Sequence, residues 1–202
     1  MRRAIKISLK FITDSKRQKI STLLESYRSA VNFYIKSLWN KKGKLDKETL
    51  SRLQNTRLSE RYKSQALKQS IDIVTSTRKA AKLKHKKVNV PVFRGGAILD
   101  SKFVTIEQGK GTFDLMIKLS TLKKGSRIWL PCKKTSIFNK WISRPCSKII
   151  QGCELREDYI VVWVNIPDFP QKESGKIIGV DIGINISGAI SSAVAYVLSI
   201  SK

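Results

Sequence analysis

Histidine occurs once in these 202 residues, as His85, and cysteine three times, as Cys132, Cys146 and Cys153. One imidazole leaves little room for His-based acid–base chemistry or a His-rich metal site. The thiols are odd in number and form no C-x-x-C pair, so they read as reduced cysteines of a cytoplasmic protein, with no zinc site. Acid is scarce as well: 15 Asp and Glu face 40 Lys and Arg, a net charge of +25. Such an excess repels itself in the compact state and attracts polyanions. Nucleic acid is therefore the expected partner, with a solvated basic surface as the plainer alternative. The opening MRRAIKISLKF has two arginines but then alternates polar and apolar residues, unlike the apolar block of a signal peptide. The 41% hydrophobic content suffices for the core of one ordinary domain or two small ones.

What is present falls into an order. Residues 4–12 alternate, with Ile5, Ile7, Leu9 and Phe11 on one side, which predicts a half-buried strand. Asp14 or Ser15 is placed to cap a helix whose stripe is Ile20, Leu24, Tyr27, Val31, Tyr34 and Leu38. Asp46 is placed to cap a shorter helix through Leu53. A third helix is expected from about Glu60 to Lys84, with Leu67, Ile71, Val74 and Ala81 inward. It ends in RKAAKLKHKK, where Arg78, Lys79, Lys82, Lys84, Lys86 and Lys87 stand without an acid. Cations suit a helix C-terminus, but six exceed what capping requires; the tract reads as a phosphate-binding segment or as a solvated tail.

From Asn89 the texture turns to strands. NVPVFRGG is extended, KFVTIE and FDLMIKL flank a glycine-containing turn, and SRIWLP is a short strand stopped by Pro131. KIIQGCELRED and YIVVWVNIPD form a second hairpin turning near Glu157 and Asp158. The expected class is α+β, a helical insert within an antiparallel β unit.

The stretch KIIGVDIGIN sets Asp181 in an apolar strand, where an unpaired carboxylate would cost several kcal/mol. A divalent cation such as Mg²⁺ would compensate, and Gly183 would let a phosphate backbone approach. An Asp turned to solvent at the strand end is the alternative; a phosphate-cradling ATPase loop is disfavoured by its place behind a basic region of about 170 residues. Ile182 to Ser201 carry no charge. That length would span a bilayer, yet Asn185 and five serines argue against an anchor.

Taken in order, AIKISLKF, LLESYRSAVNFYIKSLW, RYKSQALKQSIDIVTSTRKA, VPVFR, RIWLP, the last hairpin and IIGVDIGIN resemble the N-terminal half of TnpB (OrfB) proteins. These are accessory transposases of insertion sequences, RNA-guided DNA nucleases related to type V CRISPR effectors. The resemblance covers residue 3 to about 186. It implies a wedge-type β-barrel from residues 1–13 and 89–170, holding a guide RNA. It implies a helix-turn-helix-like recognition domain at 14–88, and a RuvC-like nuclease, of ribonuclease H fold, starting at 171–202. By position Asp181 matches the first catalytic, Mg²⁺-binding carboxylate. Guide RNA and target DNA become the expected partners, read through shape and backbone. Trp39, Trp129, Trp141, Trp163 and the tyrosines are candidates for base stacking, with packing the commoner role.

The chain also departs from that family. No acid follows Asp181 and no C-x-x-C pair exists, so two metal-binding carboxylates and the zinc finger are missing. One carboxylate does not hold two Mg²⁺ ions in catalytic geometry. The expectation is a truncated, nucleic-acid-binding protein without cleavage activity by itself, its loss of charge after Asn185 marking a frameshift, early stop or truncated copy. A stand-alone guide-dependent DNA-binding protein or repressor, or a nuclease completed in trans by a complementing fragment, are the alternatives.

Overall fold

Alternation in the first residues predicts a strand, and the structure pairs that strand with the last one described. The computed structural model describes residues 1–40, 58–85, 87, 89–109, 111–123 and 125–168. The chain divides into units Met1–Pro167 and Asp168–Lys202, and every element below belongs to the first. The elements are β1 (Arg2–Ser8), α1 (Asp14–Asn40), α2 (Glu60–Leu83), β2 (Ala97–Asp100), β3 (Val104–Gln108), β4 (Leu115–Ser120), β5 (Arg127–Cys132), α3 (Ser136–Ile142), β6 (Lys148–Leu155) and β7 (Tyr159–Asn165). The class is α+β with antiparallel sheets.

One sheet has the order β1-β7-β6-β2 and the other β3-β4-β5. Among the described residues these are two separate sheets and no closed barrel is found. β1 aligns Ile5 with Val162 and Ile7 with Ile160, so both strands turn the same face inward. β6 and β7 form the expected hairpin, and so do β3 and β4. The register of β6 slips between Ile150 and Cys153. Gly152 takes φ 132° at this bulge, where a Cβ would lie 2.8 Å from the Leu99 carbonyl oxygen. The neighbouring Gln151 side chain turns to the other sheet. Its Nε2 donates to the Ile106 carbonyl at 3.1 Å and its Oε1 accepts from the Ile106 amide at 2.8 Å. A side-chain amide thus stands in for a strand between β6 and β3.

α1 buries Ile20, Leu24, Tyr27, Val31, Tyr34 and Leu38, the stripe its sequence sets out. α1 packs along α2, and both reach β2. Asn32 docks the extended segment before β2: its Nδ2 donates to the Phe93 carbonyl at 3.0 Å and its Oδ1 accepts from the Phe93 amide at 2.7 Å. Tyr62, buried on α2, donates its hydroxyl to the Ser120 carbonyl of β4 at 2.7 Å.

Four expectations need correction. β1 ends at Ser8; the Ile12 amide donates to the Leu9 carbonyl, and Ile12 is buried where Phe11 stays partly exposed. Pro131 does not stop its strand but lies within β5, opposite Met116. β5 lies at a sheet edge, where a missing N–H is tolerated. The buried residues of α2 are Tyr62, Lys63, Ala66, Gln69, Ser70 and Val74, while Ile71 is 45% exposed. Three polar residues take buried positions because each finds partners there, Lys63 through its Nζ donating to Glu60 Oε1 at 2.7 Å. Gln69 Oε1 accepts from the Tyr27 hydroxyl, and Ser70 Oγ donates to the Ala66 carbonyl. Finally, β2 and α3 form where no element was expected. The helix expected at Asp46–Leu53 lies outside the described residues.

Candidate nucleic-acid interface

Basic side chains emerge from the helices and from both sheets, and the partly exposed aromatics organise many of them. The tract 78–87 lies at the end of α2. Arg78, Lys79 and Lys82 are on the helix, Lys84 is its C-cap, and Lys87 follows; all five are exposed. Lys86 lies outside the described residues. Arg78 differs from the others: its Nη2 donates at 3.2 Å to the carbonyls of Leu38 and Trp39, and its guanidinium lies 5.3 Å from the Trp39 ring centre. A cation on the last carbonyls of α1 satisfies the helix end and its dipole. Arg78 therefore has a docking task, whereas Lys79, Lys82 and Lys84 project around the helix end.

His85 has φ 48°, a left-handed residue just after the helix. This turn breaks the helix inside the basic tract, so the tract is not one continuous helical stripe.

A second basic region escaped the reading of the sequence. From Leu115 to Cys153 there is no acidic residue, against nine Lys or Arg. The structure spreads this stretch over β4, β5, α3 and β6. Lys118 is the cross-strand partner of Trp129 on the outer face of β4 and β5, with its Nζ 4.8 Å from the ring centre. Trp141, on α3, has Arg3, Lys140 and Arg144 within 4.9, 5.7 and 4.4 Å of its ring centre. On the first sheet Lys6 lies 3.8 Å from the Tyr159 ring. The available signal was the acid-free run itself, longer than the tract 78–87 but more dilute.

A cleft of about 630 Å³ separates the start of α2 from the β4–β5 turn, with Arg61, Lys102, Lys123 and Arg127 on its walls. A neighbouring cleft of about 470 Å³ shares Lys123 and Ser126 and adds Lys19 and Thr22 of α1. Both are open and carry basic side chains on their walls rather than being enclosed pockets, which suits a backbone lying across them better than a small ligand held inside.

Trp39, Trp129, Trp141 and Trp163 are each partly exposed, whereas Tyr27, Tyr34 and Tyr62 are core. Burial pushes the Tyr27 and Tyr62 phenols up, far from any titration near neutrality. The Cys132 thiol is likewise pushed up to about 12 by burial, and that of Cys153 rises further. Cys146 is exposed. Neither buried thiol is poised as a nucleophile.

Asp181 lies outside the described residues. Among the described residues there is no group of three or more His, Cys, Asp or Glu able to hold a metal ion. Among them, too, no helix is long and apolar enough to cross a membrane. No protein-family model matches the chain, and no curated protein matches it either.

Proposed function

We propose that this chain binds nucleic acid as the guide-RNA- and DNA-binding part of a TnpB-type protein, without cleaving DNA by itself. The observation that carries the binding is the spread of cations over α2, both sheets and α3, in a chain of net charge +25. One compact recognition patch would suit a duplex reader; cations on several faces suit a protein that holds a long, folded polyanion by its backbone. In this reading β1 to β7 are the wedge-type β unit and α1 with α2 the recognition helices inserted after its first strand. The β1–β7 pairing on either side of those helices supports that arrangement. Asp181 is the first RuvC carboxylate and would be a ligand for Mg²⁺, with the two companion acids missing from this chain.

RNA recovered from the expressed protein, followed by binding titrations at several salt concentrations, tests the reading. The expected result is tight binding of structured RNA with a steep salt dependence. Replacing Lys79, Lys82 and Lys84 together by Gln should lower the slope of log K against log salt by about 2 to 3. Binding of no RNA or DNA above that of a neutral protein would overturn the proposal. Mg²⁺-dependent cleavage by the purified chain, abolished in Asp181→Ala, would overturn its inactive half.

A further inference from the structure

Resting on that reading, we infer that one unpaired polynucleotide strand lies along the groove formed by the two clefts at the β4–β5 turn, its phosphates on the rim and its bases over the floor. The clefts adjoin at that turn. They share Thr121, Leu122, Lys123 and Ser126, so a strand that leaves one meets the other. Arg61 of α2, Lys102 before β3 and Arg127 at the start of β5 line the larger cleft; Lys123 lines both, and Lys19 of α1 lines the smaller. All five side chains are exposed, and among the described residues none of them pairs with an acid. The single acid among the described lining residues is Glu60, which Lys63 holds at 2.7 Å. Five cations from five separate segments suit successive phosphates of a backbone rather than one bound anion.

The floor gives the reason for an unpaired strand. Leu58, Tyr62, Phe103 and Leu122 line the larger cleft together with its cations. A duplex turns its bases inward and offers phosphates and sugars, which would leave this apolar surface in water. A single strand has bases free to cover it while its phosphates meet the rim. The walls are also fixed before any strand arrives. The Tyr62 hydroxyl donates to the Ser120 carbonyl at 2.7 Å, and the Tyr62 and Phe103 ring centres lie 4.2 Å apart, so the start of α2 is tied to the second sheet. The turn is closed on itself. The Thr121 amide and Oγ1 donate to the Ser126 carbonyl at 3.0 and 3.1 Å, and the Ser126 amide donates to the Lys123 carbonyl at 3.0 Å. Gly125 takes φ 75° within it, where a Cβ would meet nothing within 4 Å. Lys123 is therefore carried on a formed turn, and less order is lost when a strand binds.

The test uses the full chain and a labelled single-stranded RNA, titrated by fluorescence anisotropy between about 0.05 and about 0.3 M salt. Lys102→Gln with Lys123→Gln removes two exposed cations from different walls and leaves the floor in place. Each phosphate neutralised on a single strand adds about 0.7 to the slope of log K against log salt. The slope should therefore fall by about 1.4, and affinity at about 0.1 M salt roughly 25-fold. Lys36→Gln with Lys68→Gln removes the same charge from exposed positions of α1 and α2 outside the groove, and should change affinity less than about threefold, as diffuse attraction alone would. The Gly125 and Ser126 amides, followed by NMR, should shift and saturate with the RNA. Equal losses in the two double variants, or amides that stay unmoved while RNA saturates the chain, overturn the groove and leave nucleic-acid binding intact. A blunt RNA duplex that binds as tightly and shifts the same amides overturns the unpaired strand. So does a polyglutamate peptide of equal charge that does both, since the groove would then read charge alone. No binding of RNA or DNA by the unmodified chain overturns the groove and the reading beneath it together.

Discussion

Replacing Gln69 by Leu should destabilise the protein by about 2 to 4 kcal/mol, although a leucine at that place would satisfy any apolar pattern of α2. Gln69 Oε1 accepts from the Tyr27 hydroxyl at 2.8 Å and from the Ile98 amide at 3.3 Å, while Nε2 donates to the Gly96 carbonyl at 3.1 Å. Leucine makes none of these bonds. Tyr27 and Gly96 are buried, so their freed groups have no water to turn to, at roughly 1 to 3 kcal/mol each. Ile98 is 39% exposed and its bond is long, so its amide is resolvated at little cost. The added apolar burial of leucine returns on the order of 1 kcal/mol. Urea unfolding followed by circular dichroism measures the difference, with an unchanged m-value confirming that only stability moved. Tyr27→Phe supplies the decisive control. If the two side chains act as a pair, the double variant loses at least about 1 kcal/mol less than the two single losses combined. A Gln69→Leu protein within 0.5 kcal/mol of the parent, or a strictly additive cycle, would refute the reasoning.

Gln151→Leu should cost about 1 to 3 kcal/mol and speed hydrogen exchange at the Ile106 amide, because it removes both bonds that tie β6 to β3; unchanged exchange there would refute that role. Arg78→Lys keeps the charge but loses the fork on the Leu38 and Trp39 carbonyls, so it should fray the end of α1 by roughly 0.5 to 1 kcal/mol while leaving RNA affinity unchanged. A fall in affinity matching that of the lysine variants would instead make Arg78 a phosphate contact. One thiol, Cys146, should react with a thiol reagent at pH 8, and all three in urea. Because folding raises the Cys132, Cys153, Tyr27 and Tyr62 values, their contribution is fully present below the unfolded values, near 9.0 for cysteine and 10.0 for tyrosine. As pH rises past each of these the unfolded chain releases protons first, and stability falls by roughly 1.4 kcal/mol per pH unit for each group titrating. Urea midpoints equal at pH 8 and pH 10.5 would count against it.

What could be read from the sequence was what apolar residues write at a single period. The stripe of α1 and the hairpins β3–β4 and β6–β7 were visible because Leu, Ile, Val and Tyr recur at helical or alternate spacing and nothing polar interrupts them. α3 was not visible. It has seven residues, one of them buried, and its start rests on the Thr135 hydroxyl accepting from the Phe138 amide. The face of α2 was legible only in part: Leu67 and Val74 pack on the core as expected, but apolar residues alone were taken as inward, although Gln69 and Ser70 lie inward and Ile71 does not. For the candidate interface, the tract 78–87 was legible as a dense run of charge. The surroundings of Trp141 were not, since they join residue 3 to residues 140–144 and no local pattern spans that distance. The Asp181 stretch remains a sequence argument.

Three contacts that no apolar pattern shows share one device. Asn32, Gln69 and Gln151 each present a side-chain amide, donor and acceptor together, to the backbone of a segment far away in sequence. An amide copies the peptide group, so it can extend a sheet or dock a loop where no strand is available. A lysine or arginine in those places would have brought a desolvation cost with its charge. The fold therefore joins α1, α2 and the two sheets partly through neutral polar bonds, beside those of Arg28 and Arg78, and keeps most of its cations outside. That division leaves a protein of net charge +25 with basic groups available on several faces at once. Repulsion among them should fall as salt rises or as a polyanion binds, so the folded unit should gain stability from RNA beyond what its contacts alone supply.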